Sequence, residues 1–278
     1  MKTKKISAFL FFFSFCFSLL AQDEFTYTVI GMKGSVTSKK VGREFQTGDV
    51  VSREDELIFK NPEDMVGLIR NDGKRFIYGN IKEKRNAKIN SEDAIMLGKT
   101  RIEWKNITIK SLEELQQHLS EAPFIFLDSV AKIRIDQKTF PQNGRQYFYF
   151  NFLWKNPKGK AERIDKKLQY KKDTLIIRRS NIFKVDNSAV DPKEISDFKI
   201  NYNNGGDPIL IGDFKVIFPD AEKMKTEIGI LVRKQQETGF TPKNIQGEVE
   251  AYIRQFYGAI DRINLVNYLK NNFGVPEK

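Results

Sequence analysis

The sequence predicts a mainly β, α+β protein, with an N-terminal small β-barrel or sandwich domain followed by an antiparallel sheet with three C-terminal helices. Through most of the chain apolar residues alternate with polar ones, which is the period of a half-buried strand. Short turns rich in glycine, asparagine and aspartate separate the alternating segments. Over roughly the last 60 residues the apolar spacing changes to three and four, the period of an amphipathic helix.

The first 21 residues have the order of an export signal. Three lysines among the first five residues precede an uncharged run from Ile6 to Leu20, and the small residue Ala21 follows. This order is typical of a secretory signal peptide, and a run of about 15 residues is shorter than the roughly 20 that a membrane-spanning helix needs. We therefore predict a signal peptide at residues 1–21, cleavage after Ala21, and a mature protein in the periplasm, secreted or on the outer surface, without a transmembrane segment. A retained membrane anchor is the alternative.

Removal of the leader changes the chemistry that the chain can offer. Taking 21 residues from 278 leaves 257, and the three leader lysines reduce the formal charge from +11 to +8. Cys16, the one cysteine, leaves with the leader, so the mature chain has no disulfide, no thiolate nucleophile and no cysteine metal ligand. A hydrophobic content of 40% with 23 phenylalanines is adequate for an ordinary core.

Residues 22–79 are predicted to form the first domain, a compact run of short strands separated by glycine turns. The clearest hairpin is Met65 to Tyr78, in which alternating segments flank Asn71-Asp72-Gly73-Lys74. Asp-Gly in that position is typical of a type I′ turn, because glycine accepts the positive φ that the turn requires. The segment therefore predicts a small antiparallel domain.

Four motifs occur in order in this domain: Gly34-Ser35-Val36, Gly48-Asp49-Val50-Val51, Asp55-Glu56-Leu57-Ile58-Phe59, and a strand ending at Asn71-Asp72-Gly73-Lys74. Together they resemble the small β domain of FecR-type periplasmic proteins over about a fifth of the chain. The resemblance implies a non-catalytic module of an exported protein, often sensory or wall-associated. Sigma-regulator members of that family span the membrane, whereas only a cleavable leader precedes the domain here. The Phe-rich leader ending in Ala-Gln resembles those of the Bacteroidetes.

Residues 80–110 are polar and of mixed charge and are predicted to be a linker, and residues 111–278 a second, α+β domain. A short helix begins this domain, because Ser111 and Glu114 have capping-box spacing. An antiparallel meander is predicted over 124–218, since the connections are too short for crossovers.

The strongest strand is Tyr147 to Trp154, whose even-numbered aromatic residues are expected to face the core. Three helices follow within 220–273. Asp220, Thr241 with Pro242, and Asp261 mark their starts, and Gly274 marks the end of the last.

The reactive groups of the chain limit catalysis. His118 is the one histidine, and its polar helix predicts an exposed surface position, so neither a Ser-His-Asp triad nor a zinc site is indicated. No phosphate-binding glycine loop is present, and Asp186 to Asp191 is too sparse for a calcium loop. We predict no catalytic residue, no cofactor and no metal. A carboxylate-dependent glycan hydrolase is the alternative, because 36 acidic residues could supply a catalytic pair.

Positive charge is concentrated between Lys155 and Arg179, a segment that contains ten basic residues and three acidic ones. A hairpin from Arg163 to Arg179, turning at Lys171 to Asp173, is predicted to carry most of it. The predicted surface for an anionic partner comprises Lys158, Lys160, Arg163, Lys166, Lys167, Lys171, Lys172, Arg178 and Arg179. The alternative interpretation is that lysines on an edge hairpin prevent edge-to-edge pairing.

These patterns favour an exported, non-catalytic binding or assembly protein of the cell envelope. The expected partner is an envelope protein or an anionic envelope polymer, reached faster because the field of the basic residues steers encounter. Nucleic acid is not expected, because an exported protein seldom meets it.

Overall fold

The structure is a computed structural model that describes residues 25–79, 86–89, 108–120, 123–217 and 219–277. The chain divides into two compact units, residues 1–96 and 97–278. Antiparallel sheets predominate, and the helices lie mainly toward the C-terminus. The predicted α+β class is therefore confirmed. The predicted leader lies outside the described residues.

The first unit is built from short antiparallel strands. Its described strands are β1 (Thr26–Lys33), β2 (Val36–Ser38), β3 (Val50–Ser52), β4 (Glu56–Phe59), β5 (Met65–Arg70), β6 (Arg75–Gly79) and β7 (Asn86–Lys88). They form two sheets, ordered β3-β1-β5-β6 and β2-β4-β7. Buried side chains from both sheets meet in one core. The predicted hairpin is present as β5 and β6, but its turn is not the predicted type I′, because Gly73 has a positive φ of 81° whereas Asp72 does not.

Part of the predicted linker 80–110 belongs to a sheet of the first unit and to the cores of the two units. β7 pairs with β4, and Ile89 is buried in the core of the first unit. Ile109 bridges Ile135 and is buried in the core of the second unit. The linker prediction was wrong for these residues, because pairing with a strand distant in sequence supplies a burial that local polar composition does not reveal.

The second unit contains two larger sheets and two short pairs. Its described strands are β8 (Phe124–Ile125), β9 (Val130–Arg134), β10 (Gln146–Lys155), β11 (Ala161–Lys167), β12 (Gln169–Lys171), β13 (Thr174–Arg178), β14 (Lys184–Val185), β15 (Ser188–Ala189), β16 (Ile195–Asn204), β17 (Pro208–Asp213) and β18 (Val216–Ile217). The larger sheets are ordered β11-β10-β16-β17 and β12-β13-β9.

The predicted meander over 124–218 has the wrong connectivity. β9 pairs with β13, β16 returns to lie beside β10, and β8 pairs in parallel with β18. Antiparallel strands dominate as expected, but neighbours in sequence are not always neighbours in the sheets. The alternation of apolar residues specifies which face of a strand is buried, and it does not specify the strand beside it.

The core of the second unit lies on one face of β10. Phe148, Phe150 and Phe152 are fully buried, which confirms the even-numbered face as core. Phe150 stacks on Phe198 and Phe214, with ring centroids 4.7 and 5.2 Å away. Aromatic pairs at these distances add to the stabilisation from buried area.

Helices complete the second unit. The α-helices among its described residues are α1 (Leu112–Ser120), α2 (Arg179–Ile182), α3 (Ala221–Glu237), α4 (Pro242–Phe256) and α5 (Arg262–Phe273). The predicted caps are confirmed, because the side chains of Asp220, Thr241 and Asp261 accept hydrogen bonds from the first turns of α3, α4 and α5. Gly274 ends α5 at a φ of 66°, a left-handed conformation that favours glycine.

The segment after α4 joins the helices to strand β8. The N–H of Ala259 donates to the carbonyl of Pro123 at 2.9 Å, and the N–H of Ile125 donates to the carbonyl of Ala259 at 2.9 Å. Gly258, at a φ of 141°, permits this approach, because a Cβ there would lie 2.4 Å from the Pro123 oxygen. This contact helps to place α5 beside the three-stranded sheet.

Candidate functional site: a basic sheet face and the adjoining pocket

The segment predicted as one basic hairpin is divided between two sheets. β11 pairs with β10 in the four-stranded sheet, whereas β12 pairs with β13 in the three-stranded sheet. Leu168 separates them: its side chain is buried in the core, and its N–H donates to the carbonyl of Phe148 at 2.8 Å. The predicted turn at Lys171 to Asp173 is confirmed between β12 and β13, but the extent of the hairpin back to Arg163 was wrong, because β11 pairs with β10.

The nine predicted residues occupy four places in the fold. Lys158 and Lys160 lie in the turn between β10 and β11; Arg163, Lys166 and Lys167 lie on β11; Lys171 and Lys172 lie at the β12–β13 turn; and Arg178 and Arg179 lie where β13 meets α2. Seven residues of β11 separate the first turn from the three-stranded sheet, a span of roughly 20 Å at about 3.3 Å per residue. The nine residues are therefore distributed over two sheets and the segments that join their strands.

The cations of β11 are engaged within their own sheet. A guanidinium nitrogen of Arg163 lies 2.9 Å from a carboxylate oxygen of Asp197. The Nζ atom of Lys167 lies 4.1 Å from the centroid of the Tyr147 ring. Lys166 is paired with Phe150, on the side of the sheet that faces the core, and is half-buried. These contacts leave β11 a poorer candidate for an anionic partner than the sequence indicated.

The three-stranded sheet carries a more coherent charge. Its register places Arg134, Thr174 and Lys171 side by side in one row. Residues directly opposite one another share a face of a sheet, and positions two residues apart along a strand return to that face. The next row is Lys132, Ile176 and Gln169, and the row after it is Val130 and Arg178.

The other side of this sheet contributes to the core. Ala131 and Ile133 of β9 and Leu175 and Ile177 of β13 are all buried. The rows with Lys132, Arg134, Lys171 and Arg178 therefore face solvent. We call these four residues, with the Thr174, Ile176 and Gln169 that lie between them, the basic face.

Two contacts within the basic face involve its arginines. The Nε atom of Arg134 lies 3.9 Å from Asp173, in a pair whose side chains are 42% and 54% exposed. Such exposed pairs contribute about 0–1 kcal/mol, so Asp173 holds the Arg134 side chain only weakly. The Nε atom of Arg178 donates to Gln169 at 3.2 Å. Lys132 and Lys171 are exposed.

Lys132 and Arg134 were missed by sequence reasoning. The run Ala131-Lys132-Ile133-Arg134 does alternate, so the basic side of a strand could have been recognised there. Its pairing with β13, which adds these two cations to Lys171 and Arg178, has no local signal.

A pocket of about 370 Å³ adjoins the basic face where β9 meets α5. It is lined by Leu127, Asp128, Ser129, Val130, Lys132, Asn264, Asn267 and Asn271. The three asparagines lie three and four residues apart, so they share one face of α5. The pocket thus combines a strand edge with a row of side-chain amides.

His118 is not the exposed residue that the sequence predicted. Its side chain is 30% exposed, and its Nε2 atom lies 3.7 Å from a carboxylate oxygen of Asp261. Its ring lies edge-on to Phe124, at 6.2 Å between centroids. The prediction was wrong because His118 lies close to both Phe124 and Asp261, the residue that caps α5. Burial raises the pKa of Asp261 to about 6.

Two further findings concern the described ranges. Within them, no group of three or more histidine, cysteine, aspartate or glutamate side chains is arranged to hold a metal ion. None of the helices in this part of the chain is long and apolar enough to cross a bilayer.

Comparisons of the chain with protein-family models, with curated proteins and with solved structures found no match. The FecR-type resemblance of the first domain therefore stays a prediction.

Proposed function

We propose that this protein is an exported, non-catalytic assembly component of the cell envelope that binds an acidic surface of a partner protein through its basic face. The single observation that carries the proposal is the β9–β13–β12 register, which gathers Lys132, Arg134, Lys171 and Arg178 on one solvent-facing side. Two of these four cations were part of the predicted anionic-partner surface.

The composition of the face favours a protein partner over a polymer. Ile176, half-buried, lies at its centre, and Val130, also half-buried, lies at its border with the pocket. Cations surround this apolar centre. An apolar centre with a polar rim is the usual anatomy of a protein interface.

Charge complementarity supplies the expected attraction. Asp173, at the β12–β13 turn, forms an ion pair with Arg134 of the face. A surface with an excess of one charge steers an oppositely charged partner into encounter, and salt screens that attraction over about 8–10 Å at physiological ionic strength. Binding through the basic face should therefore weaken as salt rises.

The test compares three forms of the leaderless protein, residues 22–278, for retention on a detergent-solubilised envelope fraction at low salt. The first is unaltered. The second carries Lys132→Gln, Lys171→Gln and Arg178→Gln. The matched control carries Lys155→Gln, Lys158→Gln and Lys160→Gln, which remove the same charge at the β10–β11 turn.

We expect the basic-face variant to lose about tenfold in affinity, at about 0.5 kcal/mol for each exposed charge. The control should bind like the unaltered protein. Equal loss in both variants, or in neither, contradicts the proposal. Retention that survives protease treatment of the envelope fraction identifies a polymer and contradicts the proposed partner class. Cell fractionation of the full chain checks export, since a cytosolic, unprocessed product contradicts it.

A further inference from the structure

In every second residue of β9, the backbone N–H and C=O groups point away from β13, toward the edge of the sheet beside the pocket. The N–H of Arg179 donates to the carbonyl of Ser129, and the N–H of Ile135 donates to the carbonyl of Asp173, both at 2.8 Å. These bonds bracket the β9–β13 pairing and make Val130, Lys132 and Arg134 members of non-hydrogen-bonded pairs. Their own N–H and C=O groups therefore point away from β13, along the outer edge of β9.

Two of these three residues have partners along that edge. The amide of Asn264 bonds both backbone groups of Lys132, at 2.9 and 3.1 Å. The carbonyl of Arg134 accepts from the N–H of Ile109 at 3.1 Å. The backbone groups of Val130 point away from β13 in the same direction, and Val130 is one of the residues that line the pocket.

Asn264 shows how a side-chain amide on α5 recognises a polypeptide. It offers a carbonyl oxygen to a backbone N–H and an NH₂ group to a backbone carbonyl, as a neighbouring strand would. Asn267 and Asn271 follow on the same face of the helix, are exposed, and line the pocket. They present the same pair of groups to whatever occupies it.

We propose that the pocket binds an extended peptide segment, whose backbone pairs with Val130 on one side and with the amides of Asn267 and Asn271 on the other. Addition of a strand to an open sheet edge is a recurrent mode of peptide recognition, in which main-chain hydrogen bonds supply the affinity. The inference rests on the proposed function, because it identifies the segment of the acidic partner that docks.

The charged residues around the pocket determine on which side of the docked segment its acidic side chains lie. Asp128 lines the pocket and disfavours a second carboxylate inside it. Side chains of the docked segment that point to the solvent side of the sheet meet Lys132, with Arg178 on the next strand. The ligand is therefore an extended segment with acidic residues on one face and an unmodified backbone.

The probes are a fluorescein-labelled decapeptide of alternating glutamate and threonine, and the same peptide N-methylated at its threonines. The two carry the same charge, but the second lacks half of the backbone donors. We expect the leaderless protein to bind the parent peptide about fivefold to tenfold more tightly, as the loss of one or two hydrogen bonds implies. Exchange of the Val130 amide with solvent should slow on binding.

Variants separate the pocket from the basic face. Asn267→Ala with Asn271→Ala should bring the affinity for the parent peptide down to that for the methylated one. Asn272→Ala is the matched control, because Asn272 lies on α5 outside the pocket and donates to the Tyr268 carbonyl of its own helix. It should bind like the unaltered protein.

The outcomes distinguish the two proposals. Equal binding of both peptides, together with loss in the Lys132, Lys171 and Arg178 variant, overturns the peptide inference and leaves the proposed function standing. Discrimination between the peptides with no effect of that charge variant supports the pocket and contradicts the basic face. No binding of either peptide at low salt counts against both.

Discussion

Asn264 bonds the backbone of Lys132 in the way that a paired strand would. Its Oδ1 atom accepts from the Lys132 N–H at 2.9 Å, and its Nδ2 atom donates to the Lys132 carbonyl at 3.1 Å. This contact attaches α5 to the outer edge of β9 and occupies the edge at that residue. Both residues also line the pocket, whose other lining residues include Val130 of the same strand.

Replacement of Asn264 by alanine should lower the free energy of unfolding by about 1–3 kcal/mol, because two hydrogen bonds to the strand are lost. Urea denaturation measures the change. Asn267→Ala is the matched control and should stay within about 0.5 kcal/mol, since Asn267 is an exposed side chain on the same face. Equal losses in the two variants would show that the backbone contact is not what stabilises α5.

Gly258→Ala should destabilise the second unit by about 2 kcal/mol or more. The added Cβ would lie 2.4 Å from the Pro123 oxygen, at a φ of 141° that side chains rarely adopt. Thermal unfolding followed by circular dichroism provides the measurement.

Two other glycines separate the effect of the steric clash from that of the backbone strain. Gly239→Ala, at a φ of 75° with open space, introduces backbone strain alone and should cost less. Gly144→Ala, also in open space, should be nearly neutral. A Gly258 variant as stable as the Gly239 variant would refute the clash.

Asp261 should make stability fall as pH rises. Burial raises its pKa from 3.8 to about 6, which favours the protonated carboxyl in the folded state. The stability that this carboxyl contributes is therefore fully present below about pH 4 and is lost as pH rises through about 6. Asp261→Asn keeps the cap of α5 but removes the buried charge. The free energy of unfolding of this variant, relative to that of the unaltered protein, should therefore rise by about 2–3 kcal/mol from pH 4 to pH 7.

Urea denaturation at several pH values tests this. His118→Gln retains Asp261 and should keep the fall in stability, because burial is the main cause of the shift. Parallel pH profiles for the unaltered protein and the Asp261→Asn variant are the contrary result.

The hypothesis of a carboxylate-dependent glycan hydrolase makes a different prediction. We expect the leaderless protein to release no reducing ends from a panel of envelope and plant polysaccharides. Should turnover occur, single alanine substitutions of the acidic residues, beginning with Asp128 in the pocket, would abolish it at one or two positions. Sustained turnover would replace the assembly role with an enzymatic one.

Local patterns predicted the parts of the fold that depend on neighbouring residues. Asp220, Thr241 and Asp261 cap their helices as expected, because a cap involves residues only two or three positions away. The buried side of β10 followed from its alternation, and the turn at Gly73 from its Asp-Gly pair. The basic character of the segment from Lys155 to Arg179 was likewise evident from composition.

Tertiary pairing decided the candidate site. Lys132 and Arg178 are 46 positions apart, and they share a face because β9 and β13 are adjacent in the sheet. The pairing of these strands depends on which buried faces fit together across the whole unit. The same holds for the approach of Asn264, which lies on a helix still further along the chain. Side-chain alternation determines which residues of a strand face solvent, but the choice of neighbouring strand rests on burial that no short stretch of sequence contains.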